Sequence, residues 1–258
     1  MYFTKWFSIT GSLLLMTLFM GCRPSVKKLV ITEAEIDEYV SSRLDPAEIY
    51  DITPGLRYSK DVGDFLETYE VVGYEQKDSL ILYTEQVITA EKEVNRNTFF
   101  KEELPVYVEE YTVWMDERQS PFEQRKAYLN GAEVIAAYER KGMNEEELEE
   151  KAYDKTAVAI SEFDFDNPKQ ALLQQGAFEM KFGEFLIMPQ SQYLVLENKE
   201  SGYNIALLIL QDDELLNELF QHPDDYHGKT IFVTHHFMTL NNVNQMIYDS
   251  GVVVEEKE

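Results

Sequence analysis

Four histidines fall within fifteen positions of one another, at His222, His227, His235 and His236, with Asp224 and Asp225 between the first two. Neutral imidazole and carboxylate are good zinc ligands, so His222, His227 and Asp224 form a candidate metal set. His235 and His236 are neighbours in a strand-like run and must point to opposite faces, so they cannot serve one ion together. His222 and His227 flank a turn that contains Pro223. A polar surface loop followed by two strand histidines accounts for the same residues, and this is the expectation; no cofactor is implied.

Other chemistry is sparse. Acidic runs occur at Glu109-Glu110, Glu145–Glu150 and Asp212–Glu214. Adjacent carboxylates diverge on a strand and form a solvated face on a helix, and no calcium-loop spacing is present. There is no Gly-x-Ser-x-Gly elbow, no Ser-x-x-Lys with its companion motifs, no phosphate loop and no dinucleotide fingerprint. An enzyme is not expected. Acids outnumber bases 48 to 23, which argues against nucleic-acid binding. A single cysteine, Cys22, excludes intrachain disulfides and thiolate zinc clusters. Tyr107, Tyr111 and Trp114 lie in one strand-like run among acids and are candidate interface anchors, weighed against a half-buried sheet face.

These residues must be positioned by a core, and at 44% hydrophobic residues the chain can build one. Dense charge of both signs up to Lys169, and arginine-free sequence after it, suggest a boundary near 165–175. The first part, 31–168, reads as an α+β domain. Thr32 with Glu35 is a capping box, and Asn144 precedes three glutamates at a second helix start. Strands are expected at Tyr69–Tyr74, Leu80–Ile88, Val106–Met115, Ala132–Tyr138 and Ala157–Phe165. The second part, 172–256, has strand patterns at Phe178–Met188, Tyr193–Glu197, Tyr203–Leu210, Thr230–Met238 and Gln245–Val254. A helix at Asp213–Gln221 falls between the third and fourth.

The chain opens with Lys5, then an apolar run from Phe7 to Met20 that is too short to span a bilayer, and then Gly21-Cys22. Residues 1–21 resemble bacterial lipoprotein signal peptides, in which a small residue precedes a lipidated cysteine. The resemblance implies acylation of Cys22 and several-chain anchoring. An ordinary signal, or an uncleaved anchor with Cys22 incidental, is the alternative. Residues 22–30 would be a tether, with Arg23, Lys27 and Lys28 near anionic headgroups.

In the second part, a strand–strand–strand–helix–strand–strand order and Tyr226-His227-Gly228-Lys229 before the fourth strand resemble the OB-like modules of exported bacterial proteins. The expected fold class is therefore α+β: an antiparallel β-rich N-terminal domain with short helices, then a five-stranded OB-like barrel. The expected function is a non-enzymatic, lipid-anchored adaptor on the periplasmic face of the outer membrane. Its partners would be the membrane, through the lipid on Cys22, and another envelope protein. A periplasmic binder of a small ligand or metal is the alternative, and an envelope hydrolase comes third.

Overall fold

The structure, a computed structural model, describes residues 28–45, 48–115 and 120–254. The signal segment 1–21, Cys22 and the tether as far as Lys27 lie outside the described residues. No helix among the described residues is long and apolar enough to cross a membrane.

Helix α1 (Glu33–Arg43) starts at the expected capping box, with Glu35 N donating to Thr32 Oγ1 and Thr32 N donating to Glu35 Oε2. Strands β1 (Asp51–Pro54), β2 (Tyr58–Val62), β3 (Phe65–Gln76), β4 (Ser79–Ile88), β5 (Lys92–Lys101), β6 (Leu104–Trp114), β7 (Phe122–Leu129) and β8 (Val134–Gly142) follow. From β2 to β8 each strand pairs antiparallel with the next. The two-residue turns Lys77-Asp78 and Glu102-Glu103 hold both residues at positive φ, the backbone shape that matches the strand twist. Helix α2 (Glu145–Glu150) is capped by Asn144, and the short β9 (Asp154–Thr156) pairs with β8.

The strand expected at Ala157–Phe165 is not formed. A 3-10 turn at Ile160–Glu162 takes its place, and Val158, Ile160, Phe163 and Phe165 pack on Val108, Ala127, Leu129 and Ala137 instead of pairing along an edge. Their apolar side chains cover a sheet face, a use that the same spacing allows. Helix α3 (Asp166–Leu172) leads on to β10 (Lys181–Met188), β11 (Ser191–Glu197) and β12 (Asn204–Leu208), an antiparallel meander. Helix α4 (Glu214–Gln221) is capped by Asp213, and α5 (Pro223–Tyr226) precedes the hairpin β13 (Ile231–Leu240) and β14 (Val243–Val253).

The α+β class holds, with strand predominating. β12 pairs antiparallel with β2 at Asn204↔Ser59, so one sheet path runs from β10 to β9 through both parts of the chain. β14 joins β12 in parallel at Leu208↔Ile247. β10 meets the segment before β13 through an isolated bridge, Lys181↔Thr230, and not through a ladder, so the sheet does not close. One apolar cluster draws on both parts: Tyr58, Tyr69 and Val71 pack with Phe178, Leu194, Leu196, Leu207 and Ile231. Tyr58 is fully buried, its ring lies tilted against Phe178 at 4.7 Å, and its hydroxyl donates to Ala171 O at 2.7 Å.

Candidate functional site

His222 ends α4, Asp224 lies within α5, and His227 closes α5. No group of three His, Cys, Asp or Glu side chains able to hold a metal occurs among the described residues. The strand histidines divide as the pleat requires. His236 Nδ1 faces Asp249 at 2.7 Å on the exposed side, while His235 Nε2 donates to Gly55 O at 3.0 Å. Burial pushes the His235 pKa below its ordinary value, opposed by that carbonyl and by Asp249.

The three aromatic candidates do not share a surface. Tyr107 is 5% exposed, lies in the cluster beneath α1 and packs edge-on against Phe99 and Tyr128. Burial, then the nearby Glu109, raises its pKa. Tyr111 shares that face, half-buried; its hydroxyl donates to Glu145 Oε1 at 3.0 Å, and burial followed by this carboxylate pushes its pKa up to about 12. Trp114 points to the other face by strand parity, with Lys92 Nζ 5.0 Å above its ring.

A buried ionic row crosses four strands on the face away from Tyr107. Glu85, Arg96, Glu110 and Arg125 are successive cross-strand partners. Arg96 donates to Glu110 Oε2 from Nε and Nη2 at 2.9 and 2.7 Å; Arg125 donates to Glu110 Oε1 at 3.0 Å and to Glu162 Oε2 at 3.0 Å. Tyr69 donates to Glu85 Oε1 at 2.9 Å. Burial raises the Glu85 pKa, opposed by Arg96 and the Tyr69 hydroxyl. Burial acts on Glu110 in the same sense, but Arg96 and Arg125 together outweigh it and its pKa is lowered. Nothing in the linear order of these charges marks them, because the row exists only once the register is set. Its chemistry is that of a brace: the guanidinium donors named here are spent on carboxylates.

A groove where the two parts of the chain meet offers more. It has a volume of about 320 Å³ and lies between the β2–β3 hairpin, the outer side of β11 and β12, and the start of β14. Leu66, Tyr193, Ala206 and Met246 supply its apolar surface, with Arg57 and Asn204 as polar points. Arg57 is fixed by Glu70 at 2.8 Å and Asn244 O at 3.2 Å, and its guanidinium lies 5.3 Å from the Phe237 ring centre. Tyr193 OH donates to Gln245 Oε1 at 3.3 Å. Val62, Leu66 and Val243, beside the groove, are all exposed. The chain matches no family model, no curated protein and no solved structure.

A second cleft, of about 520 Å³, takes in His227. Glu179, Lys181, Glu197 and Lys199 give it both signs of charge, and three of these are already matched, Lys199 with Glu197 at 3.1 Å and Glu179 with the Thr230 hydroxyl at 2.7 Å.

Proposed function

We propose that this protein is a non-enzymatic, lipid-anchored adaptor of the bacterial envelope, held by acyl chains on Cys22, whose OB-like module binds a partner protein. The OB-like reading is supported by the strand neighbours, in the order β10-β11-β12-β14-β13, with β12 and β14 parallel and α4 between the third and fourth strands. Gly228 at φ +79 makes the turn before β13, where a side chain would be strained. OB folds bind ligands on the face of their second and third strands, between the first and fourth loops. By that analogy the binding face is the groove bearing Tyr193, Asn204 and Ala206, and its exposed apolar rim is the observation that carries the reading.

The anchor side supports the same arrangement. Leu29 N donates to Asn130 O at 2.9 Å and Lys28 pairs with Glu133 at 2.5 Å, so the chain leaves from the β7–β8 turn. β7 stands six strand spacings from β12 in the sheet, which puts about 30 Å of sheet path between the groove and the exit point.

The test is a photo-cross-linking residue placed at Leu66 in intact cells, with the same residue at Ile135 on β8 as control. One dominant partner captured from position 66, absent from position 135 and lost in Tyr193→Lys, is the expected result. Equal capture from both positions, or none, would overturn the adaptor reading. The polar cleft at Lys181 and His227 favours a second reading, a small charged ligand, and Lys181→Ala would then abolish binding while leaving the Leu66 cross-link intact.

A further inference from the structure

We propose that the bare edge of β10, Glu184–Met188, takes up an extended basic segment of the partner protein as an added antiparallel strand. The inference rests on the adaptor reading and names the chemistry of the partner. The sheet path has two ends, and they differ. β9 ends it with three residues, two of them the charged Asp154 and Lys155. Short, charged edges of this kind resist unwanted pairing.

The β10 end is built the other way. Its first residues are tied down: Phe182 N donates to Lys229 O, and Phe182 O accepts from Gly228 N. The register then shifts between Phe182 and Glu184, where Gly183 lies against β11 so closely that a Cβ would come within 3.2 Å of Val195 O. Beyond this bulge β10 pairs with β11 on one side only, among the described residues. The free stretch carries Leu186, Ile187 and Met188 at 41%, 64% and 47% exposure, with no lysine and no proline among them. An edge that is apolar and exposed over its last three residues, and unpaired on one side, is a template for strand addition.

Charge decides what kind of strand. Glu184 is exposed on β10 itself. Helix α4, whose Phe220 ring stacks on Phe185 at 3.7 Å, exposes Glu214 and Glu218. From Ala171 onward the chain has 14 acids and 4 bases. A second copy would bring like charges together, whereas a strand that alternates apolar and basic residues places its apolar row over Leu186 and Met188, the face that Glu184 begins, and turns its basic row to the Phe185 side, where α4 packs and exposes Glu214 and Glu218. Leu186 pairs with Tyr193, so the apolar row runs on from the edge into the groove.

The probe is a fluorescent peptide of alternating valine and lysine, as long as β10. Anisotropy should report saturable binding, and amide exchange by NMR should show new protection confined to 184–188. Alternate N-methylation, which removes one edge of backbone donors, should weaken binding about tenfold or more, as should Ile187→Lys, an exposed position whose change leaves the core intact. A valine–glutamate peptide should not bind. Equal binding of the N-methylated peptide, or protection elsewhere only, would overturn strand addition. So would protection of 184–188 that rises with protein concentration in the absence of peptide, which would assign the edge to a second copy. If the peptide fails while the Leu66 cross-link persists, strand addition falls and the adaptor stands. If the peptide adds at the edge and Leu66 captures nothing in cells, the adaptor reading falls.

Discussion

Glu110→Gln should be among the most damaging single charge removals in the N-terminal part. The change keeps the shape of the side chain and removes the charge that two guanidiniums share. Glu110 is buried, and Arg96 and Arg125 approach its two oxygens at 2.7 and 3.0 Å. Breaking a buried pair by neutralising one member costs about 3–5 kcal/mol, since the remaining charge stays desolvated. Here each arginine keeps a second carboxylate, Glu85 at 3.7 Å and Glu162 at 3.0 Å, which places the loss near the lower end, about 3 kcal/mol. Urea unfolding followed by Trp114 fluorescence measures it, because Trp114 is the only tryptophan after residue 22. The midpoint should fall with an unchanged slope. Glu162→Gln, at an exposed position, should cost less than about 1 kcal/mol. A loss below about 1 kcal/mol for Glu110→Gln would refute the reasoning, since the row would then behave as screened surface charge. The pH dependence has a fixed sign. The lowered pKa of Glu110 adds stability above the ordinary glutamate range, and this is lost as pH falls through the folded value, so Glu110→Gln should flatten that acid limb.

His235, whose pKa is lowered, stabilises the fold above its ordinary value of 6.5 and loses that contribution as pH falls through its folded value; His235→Gln should remove this slope from a pH series of melting curves. Asp213→Ala removes the cap of α4 and also the acceptor of the buried Tyr248 hydroxyl, and should cost about 2–3 kcal/mol in chemical denaturation. Glu102 and Glu103 both hold left-handed backbone, so replacing the pair by Asn-Gly should raise stability by about 1 kcal/mol or more, read as a higher melting temperature. Gly55→Ala should lower it, because the new Cβ would lie 2.7 Å from Val71 O, a backbone atom that cannot swing away.

The parts of the fold legible in the sequence are those whose signal is local. Thr32, Asn144 and Asp213 each sit at a helix start and form the cap hydrogen bond that their side chains suggest. The five C-terminal strands and α4 fall within a few residues of their expected places, because runs such as Tyr193–Glu197 are apolar enough to be strands in almost any packing. β5 and β7 were hidden for the opposite reason. Arg96, Asn97, Gln124 and Arg125 break the apolar alternation, and their partners stand on other strands. The turn between β5 and β6 was equally silent, since Glu102-Glu103 contains neither glycine nor asparagine. Of the candidate anchors, Tyr107 looked available because its type suits an interface; only the placement of α1 over Phe99 and Tyr128 buries it. The groove needs β2 beside β12, a pairing between segments far apart in the chain, and no local pattern announces that.

That distant pairing also sets an order of assembly. The hairpins from β3 to β8 close between neighbours in sequence and can form as soon as they emerge. Arg57, Tyr58 and Gly55 cannot be completed so early: their partners Met246, Ala171 and His235 follow 189, 113 and 180 residues later. Contacts of such separation form slowly, because long loops must close before they are rewarded. The outer edge of β2 therefore waits, unpaired, until β12 has been delivered, and the contacts of Arg57 and Gly55 wait for β13 and β14; this is the interval in which a holding chaperone would matter most to this protein.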